Sequence, residues 1–365
     1  MPSASQLAKF VKEVAAEAGF DLAGVSPVEN FGELEYFPYW IAEQRHGEMR
    51  YLESRDEGGD LKRSSLKNAA PWAKSVVVCA LNYNTDQPYS TEIADDDRTG
   101  WISRYAWGQR DYHDVILPRL REIESRLRQF AGEIQTWCYV DTGPIIERVF
   151  ANHAGIGWTG KNTCVINQKL GSWLFLGVIL TSIEIQPDLP PPDRCGTCTR
   201  CIEACPTEAF IAPRKLDASR CISYLTIEKR GDSPEDLREG IGRHVFGCDI
   251  CQDVCPWNQK ARAITSEHDF RPRALLVNPS LEWLATISEE DFQTTFRGSP
   301  IKRTKRSGIR RNAVIAMGNS GNPEFVASLR QIADHDPDEV VAEHARWALK
   351  KIEPSGDRAI EPSED

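Results

Sequence analysis

Eight cysteines between residues 195 and 255 constrain the fold of this chain more than any other feature. The chain has eleven cysteines in 365 residues, so only three lie outside this segment. The first four, Cys195, Cys198, Cys201 and Cys205, follow the pattern C-x2-C-x2-C-x3-C-P. Because soft sulfur ligands at such short spacings suit iron and zinc, the segment is predicted to fold around metal.

The spacing of these thiols favours two iron–sulfur clusters. In bacterial ferredoxins the same pattern supplies three thiolates to one [4Fe-4S] cluster and the fourth to its neighbour. The second half of the segment repeats the C-x3-C-P ending with only three cysteines, and Cys221 is the obvious replacement. Crossed ligation then predicts two ligand sets, Cys195, Cys198, Cys201 and Cys255 for one cluster, and Cys205, Cys221, Cys248 and Cys251 for the other.

Two other interpretations of the cysteines remain. Paired C-x2-C elements can hold tetrahedral zinc, but zinc sites rarely contain the compact triple followed by C-P. Disulfides are disfavoured because an intracellular chain keeps its thiols reduced.

The N-terminus and the hydropathy of the chain predict its compartment. The first ten residues lack the apolar run of a signal peptide, and no stretch approaches the roughly 20 apolar residues that span a bilayer. We therefore expect a cytoplasmic protein without a membrane segment. The net charge of −10 argues against an evenly basic nucleic-acid surface but leaves room for a local basic stripe.

Apolar periodicity predicts an α+β fold. Helical spacing covers residues 4–18 and the segment after His113, whereas short apolar runs at 75–83, 136–140 and 174–180 predict strands. Three helical patterns near the C-terminus resemble a HEAT-type repeat. The predicted domains are an N-terminal α/β domain over 1–190, a ferredoxin-like domain over 191–270, a HEAT-like helical region over 271–353 and a disordered tail over 354–365.

Polar residues near the predicted strands mark a candidate site. Asp141 follows the strand at 136–140, where it can donate a proton if burial raises its pKa, although a turn former or helix cap is the simpler interpretation of this residue alone. The glycine-rich stretch after His153 contains Trp158, Lys161 and Asn162, and its glycines permit close approach to a large ligand. His113 is not expected to ligate cobalt, since the D-x-H-x-x-G signature fails at its last position.

A basic run overlaps the first of the C-terminal helices. Six cations lie within ten residues, which predicts an anion site for RNA phosphates, with a solvated helix start as an equal alternative. These cations are Lys302, Arg303, Lys305, Arg306, Arg310 and Arg311.

Together these motifs resemble the epoxyqueuosine reductase family from the N-terminal helix to the HEAT-like end. The segment from Arg104 to His113, the stretch Tyr139-Val-Asp-Thr-Gly-Pro, the stretch Gly155-Ile-Gly-Trp-Thr-Gly-Lys-Asn and the eight cysteines carry the resemblance. The family usually reads R-Y-A-x-G-x-D-Y-H in the first of these, and the chain is one residue longer there.

The resemblance implies a cobalamin-dependent iron–sulfur enzyme that reduces epoxyqueuosine to queuosine at the wobble position of tRNA. Asp141 matches the family's proton donor, and cobalamin is expected to bind base-off, without a histidine ligand. Candidate cobalamin and substrate contacts are Arg63, Arg104, Tyr105, His153, Trp158, Lys161 and Asn162. The basic run is expected to contact the tRNA, an external donor to supply the electrons, and the chain to act as a monomer.

Two rival functions follow from the same motifs. A reductive dehalogenase also combines base-off cobalamin with two clusters but acts on small molecules and needs no RNA surface. A ferredoxin-like electron carrier with a fused binding domain needs neither cobalamin nor Asp141.

Overall fold

The computed structural model describes residues 2–92, 96–260 and 263–353 of the chain. It divides into two compact units, each assembled from three stretches of sequence. Unit 1 comprises Met1–Gln87, Trp107–Cys221 and Asp249–Pro272, and unit 2 comprises Pro88–Ala106, Ile222–Cys248 and Arg273–Asp365. No helix among the described residues is long and apolar enough to cross a membrane. The predicted disordered tail at 354–365 lies outside the described residues.

Unit 1 is built on a four-stranded antiparallel sheet. The strands, in spatial order, are Leu22–Pro27, Ser75–Asn82, Leu174–Thr181 and Thr136–Tyr139. Every residue of Ser75–Asn82 is buried, as its β-branched sequence predicts for a central strand. This strand pairs with Leu174–Thr181 over its full length, with Val78 opposite Val178.

Helices cover the sheet, and their starts are set by local capping. Ser3 and Gln6 form a capping box at the start of Ala4–Glu17, and the Asp111 side chain caps Tyr112–Ala131. Both helices bury an apolar stripe. The remaining α-helices of unit 1 are Gly32–Ala42, Leu66–Ala69, Glu147–His153, Arg200–Glu203, Ile250–Asp253 and Pro256–Lys260, with 3-10 turns at Arg50–Glu53, Ala218–Arg220 and His268–Phe270.

Two small hairpins complete unit 1. Trp158–Thr159 pairs with Val165–Ile166 in the glycine-rich stretch, and Phe210–Ala212 pairs with Lys215–Leu216 inside the cysteine-rich segment. Regular structure in the cysteine-rich segment is therefore short, which agrees with a fold that depends on its metal ligands.

Unit 2 is mainly helical. Its longest helix, Lys305–Ser320, is buried over most of its length and packs against Leu281–Thr286 and Glu339–Ile352. A short parallel pair joins Trp101–Ile102 to His244–Phe246. The other α-helices are Ile222–Ile227, Glu235–Ile241, Glu289–Thr295 and Val326–His335, with 3-10 turns at Ser90–Glu92, Arg104–Ala106, Ala274–Leu276, Pro300–Thr304 and Pro323–Phe325.

The α+β prediction is confirmed, as are the helical C-terminal segment and the predicted strands of the first part. The three-domain division stays a prediction, and the two compact units follow different boundaries, since unit 1 runs on from residue 107 to Cys221.

Candidate active site

Asp141 lies just beyond the edge strand Thr136–Tyr139, in a left-handed backbone conformation with φ of 48°. Its side chain is 45% exposed. The following helix, Glu147–His153, takes Ile146 as its N-cap, so Asp141 does not cap it. The helix-cap part of the simpler interpretation is thus wrong, whereas the left-handed backbone agrees with its other part, a turn former.

Two donors from one helix end hold the Asp141 carboxylate. The Tyr112 hydroxyl donates to one oxygen, and His113 Nε2 lies 2.8 Å from the other. The second ring nitrogen of His113, Nδ1, is 2.7 Å from Asp111 Oδ1. Asp111, His113 and Asp141 therefore form a continuous hydrogen-bonded chain.

The pair of donors is fixed by an aromatic cluster in unit 1. The Tyr112 ring stacks on Phe175 at 4.3 Å between centroids, and Phe175 contacts Phe270 at 5.0 Å and Tyr83 at 4.4 Å. Phe175 lies in the central strand Leu174–Thr181. The sheet thus positions the hydroxyl that binds Asp141.

The carboxylates around His113 control its charge. Burial alone would lower the pKa of His113, but the hydrogen bonds to Asp111 and Asp141 outweigh burial and raise the pKa to about 9. The imidazole is therefore protonated at neutral pH. The contact between His113 and Asp141 was not identified from the sequence.

Glu147 is a second titratable group near Asp141. Burial, together with the charge of Asp141, raises the pKa of Glu147 to about 7 against the opposing effects of its own backbone amide, Arg148 and Arg63. Its Oε1 is buried and has no hydrogen-bond partner within the described part of the chain. Nothing in the sequence distinguished this glutamate from an ordinary first-turn residue.

Arg63 braces the loop that carries Asp141. Its Nη2 donates to the carbonyl of Gly143 at 2.9 Å, and its Nη1 donates to the carbonyl of Tyr51 at 3.0 Å. A guanidinium has five N–H donors, so further donors remain for a ligand. A Cβ at Gly143 would approach within 2.6 Å of the Tyr139 ring, so this turn requires glycine.

The remaining predicted contacts of unit 1 differ in their surroundings. His153 stacks on Phe31 at 3.6 Å and lies 3.3 Å from Glu33. Trp158 is only 2% exposed and packs edge-on against Trp257 at 5.1 Å. Trp158 therefore has almost no accessible surface for a direct ligand contact.

Lys161 and Asn162 contact the cysteine-rich segment. Lys161 Nζ donates to the carbonyl of Gly196 at 2.8 Å, and Asn162 Nδ2 donates to the carbonyl of Cys251 at 3.1 Å. Both also line the cavity beside the first four-cysteine set. They support the cysteine loops, a role that the sequence did not suggest.

Four thiols of the first predicted set converge on one cavity. Cys195, Cys198, Cys201 and Cys255 line a space of about 210 Å³. Burial raises the pKa of Cys201 to about 11, and the neighbouring thiols Cys255, Cys195 and Cys198 add to that effect. All four are free thiols.

The second predicted set is Cys205, Cys221, Cys248 and Cys251, and all four are also free thiols. Cys164, which the sequence reasoning passed over, hydrogen-bonds to Cys251, and this contact lowers the pKa of Cys164 to about 7 although burial opposes it. The sequence signal that could have identified Cys164 was its position two residues after Asn162.

Arg104 and Tyr105 belong to unit 2, where both take part in packing. Arg104 is 2% exposed, donates to the carbonyl of Pro88 at 3.1 Å and lies over the Tyr89 ring. The Tyr105 ring lies 5.9 Å from that of Phe246.

The structure corrects the predicted tRNA surface at two positions. Arg310 and Arg311 are 4% and 1% exposed. Arg310 pairs with Asp336 and donates to the carbonyl of Ala285, whereas Arg311 donates to carbonyls of residues 225, 229 and 231. Neither arginine is available to a phosphate, because a buried guanidinium must keep its internal partners.

The other four cations of the run are more accessible. Arg303 forms an ion pair with Glu228, and Arg306 Nε donates to the carbonyl of Ile287 at 2.8 Å. Lys302 and Lys305 are exposed. In the described residues neither lysine forms an ion pair, so they are the strongest remaining candidates for phosphate contacts.

Comparison with known proteins identifies three matching families along the chain. Residues 63–142 match the family "Epoxyqueuosine reductase QueG, DUF1730", residues 194–258 match "4Fe-4S double cluster binding domain", and residues 282–350 match "HEAT repeats". Epoxyqueuosine reductase of Xanthomonas campestris is 39% identical over 95% of this chain and 97% of its own length, and that of Pseudomonas aeruginosa is 38% identical over 96% of both chains.

Solved structures of epoxyqueuosine reductases are also similar to this chain. A crystal structure of selenomethionine-labelled epoxyqueuosine reductase covers 96% of this chain and 91% of its own, with 33% identity and a TM-score of 0.85. An epoxyqueuosine reductase with an epoxyqueuosine-modified tRNA stem loop has the same coverage and identity and a TM-score of 0.83. The Bacillus subtilis enzyme, with its aspartate-bearing catalytic loop swung out of the active site, is 32% identical over 96% of this chain and 91% of its own, with a TM-score of 0.83.

These relatives are oxidoreductases, and the rival functions of dehalogenase and simple electron carrier are not favoured. With identity at this level over nearly the whole length, and with a double-cluster domain in place, the chain belongs to the epoxyqueuosine reductase family.

Proposed function

We propose that this protein reduces epoxyqueuosine in tRNA to queuosine, with Asp141 as the acid that protonates the epoxide oxygen. The observation that carries the proposal is the carboxylate at the end of an edge strand, half exposed and held by two donors, in a member of this family. A relative that binds a tRNA stem loop carrying epoxyqueuosine supports the same substrate.

Protonation is the step that this chain's own residues can perform. Opening an epoxide leaves an alkoxide, which is a poor leaving group unless a proton reaches the oxygen as the C–O bond breaks. Asp141 is accessible to a ligand, and Arg63 braces its loop through Gly143. The loop can therefore present the acid in a fixed orientation.

The cysteines support the electron supply. The match of residues 194–258 to a 4Fe-4S double cluster binding domain favours iron–sulfur clusters over zinc. Cys195, Cys198, Cys201 and Cys255 line one cavity where the first cluster would bind. When bound, [4Fe-4S] clusters deliver electrons singly at low potential, and an external donor must reload them. The ligand sets remain those that the crossed spacing predicts.

Cobalamin belongs to the proposal as the group that, when bound, supplies strongly reducing cobalt chemistry. Arg63 fits a role in holding it, because the guanidinium lies beside the Asp141 loop and has donors to spare. His153 and Lys161 are also partly exposed polar groups, whereas Arg104 and Trp158 are nearly fully buried.

The proposal further includes tRNA contacts by Lys302 and Lys305, a monomeric chain and action in the cytoplasm, where the tRNA substrate is found. Arg303 and Arg306 add charge next to these lysines.

The test is anaerobic reconstitution with both cofactors and reductant, followed by nucleoside analysis of epoxyqueuosine-containing tRNA. We expect Asp141→Asn to lower kcat by about 10² to 10⁴, the usual range for general acid catalysis, while cluster and cobalamin spectra stay unchanged. The matched control is Asp86→Asn, an exposed aspartate of the same unit, which should keep full activity. Persistence of the epoxide with reconstituted wild-type enzyme, or full activity of Asp141→Asn, would overturn the proposal.

A further inference from the structure

The stoichiometry of the reaction requires the acid to be loaded more than once. Converting an epoxide to an alkene releases its oxygen as water, which consumes two electrons and two protons. The clusters and their external donor account for the electrons. Both protons end on the same oxygen, and a single carboxyl group holds only one at a time, so Asp141 must be loaded twice in each turnover. A neighbouring group that already holds a proton can do this.

The geometry around Asp141 identifies that group. The carboxylate accepts from the Tyr112 hydroxyl and from His113 Nε2, which lies 2.8 Å away. We propose, on the basis of the proposed function, that His113 loads Asp141 with the protons that Asp141 passes to the epoxide oxygen.

For each C–O bond, one proton passes from His113 Nε2 to Asp141 and on to the oxygen, and His113 then takes a new proton from solvent. The first C–O bond breaks with its electron pair on the oxygen, which takes up the first proton. Two electrons from the external donor reach the carbon that has lost the oxygen. This pair forms the carbon–carbon double bond as the second C–O bond breaks, and the oxygen takes up the second proton and leaves as water.

Asp111 orients the donor and favours its charged form. Its Oδ1 lies 2.7 Å from His113 Nδ1, the nitrogen that faces away from Asp141. A carboxylate behind an imidazole fixes which nitrogen points at the acceptor and stabilises the imidazolium. The two carboxylates also raise the pKa of His113 to about 9 in spite of its burial, so His113 carries its proton at neutral pH.

Two neighbouring groups are less suitable. Tyr112 also donates to Asp141, but a phenol that releases its proton becomes an anion beside other carboxylates, whereas an imidazolium that releases its proton becomes neutral. The charge of Asp141 acts on Glu147, yet no hydrogen bond joins the two among the described residues. A direct path from a protonated group to Asp141 therefore runs through His113.

His113→Gln separates proton supply from positioning. An amide can still donate a hydrogen bond to Asp141, but it cannot release a proton. We expect kcat to fall about a hundredfold, at the lower end of general acid effects, with KM for tRNA unchanged and partial rescue by added imidazole. The matched control is His268→Gln, an exposed histidine of the same unit, which should behave as wild type.

The pH profile separates proton supply from a structural role. The groups that face His113 are Asp111, Asp141 and Tyr112. The wild-type kcat should fall on the alkaline side as the imidazolium loses its proton, and His113→Gln should lack this limb. Asp111→Asn keeps an equally good helix cap but removes one of the charges that raise the pKa of His113, so its alkaline limb should move to lower pH.

A direct titration completes the test. Nitrogen-15 NMR of the histidine side chains should show one imidazole that titrates near pH 9 and loses this shift in Asp141→Asn. Active wild-type enzyme with an equally active His113→Gln variant of unchanged pH profile would refute the role of His113 while leaving the proposed function intact. An inactive wild-type holoenzyme would instead refute the function itself, and the NMR titration would still decide whether His113 is charged.

Discussion

The buried ion pair between Arg310 and Asp336 offers the sharpest test of how the basic run is used. The side chains are 5% and 7% exposed, and Arg310 Nη1 lies 3.0 Å from Asp336 Oδ1. Arg310 also donates to the carbonyl of Ala285 at 2.8 Å. Asp336→Asn keeps the shape of the side chain but removes the charge, which leaves a buried guanidinium without its counter-ion.

The expected loss follows from this burial. Breaking a buried pair typically costs about 3–5 kcal/mol, and the remaining bond to Ala285 places Arg310 near the lower end, at about 3 kcal/mol. For a domain of this size such a loss lowers Tm by roughly 6–12 °C. Burial opposes ionisation of Asp336, but the hydrogen bonds from Arg310 and Asp338 outweigh it and hold the pKa of Asp336 below its usual value.

Because this pKa is lowered in the folded state, the pair stabilises the protein above the unfolded-state pKa of about 3.9. The contribution is lost as the pH falls through the folded-state pKa of Asp336. Wild type and Asp336→Asn should therefore differ at neutral pH and converge in acid.

Arg310 can either stabilise the fold or bind tRNA. Urea unfolding followed by circular dichroism, together with filter binding of tRNA, distinguishes these two roles. Glu353→Gln, which breaks the exposed pair with Arg330, is the matched control and should unfold like wild type. If Asp336→Asn were as stable as wild type, or if it bound tRNA differently while remaining fully folded, the structural role of Arg310 would be refuted.

Two further predictions concern tRNA and iron. Lys302→Glu combined with Lys305→Glu should reduce the slope of log K against log salt by about 1.4–1.8, the value for two phosphate contacts, and an unchanged slope would exclude this surface. Cys221→Ser should lose roughly half of the iron and the spectrum of one cluster while the other remains, and full iron content would exclude Cys221 as a ligand.

Several elements could be predicted because their signal is local. The run of valines at 75–83 became the fully buried strand Ser75–Asn82, and the apolar spacing after residue 3 became the helix Ala4–Glu17. The cysteine spacing alone predicted the group of thiols that lines one cavity. In each case, neighbours in sequence carry the information.

The contacts of Asp141 could not be predicted in the same way. His113 and Asp141 are 28 positions apart, and their approach depends on the stacking of Tyr112 on Phe175 in a strand still farther along the chain. Strand order also depends on such distant pairing, since Leu174–Thr181 lies between two earlier strands. No local sequence pattern predicts the contacts of Asp141 or the order of the strands.

The basic run shows why the number of charged residues in a segment does not give the charge that the segment presents at the surface. Arg311 donates to the carbonyls of Leu225, Lys229 and Gly231, so it satisfies backbone groups at and beyond the end of the helix Ile222–Ile227. A guanidinium that donates to these internal carbonyls stabilises the fold and cannot bind another molecule, whatever the net charge of the segment. Of six cations, two are therefore excluded and two already have internal partners, which leaves Lys302 and Lys305. If all six cations contacted phosphates, the run would contribute about 4–5 to the salt slope of the wild type, and replacing the two lysines would remove only about a third of this contribution. If only the two lysines contact phosphates, their replacement removes all of it.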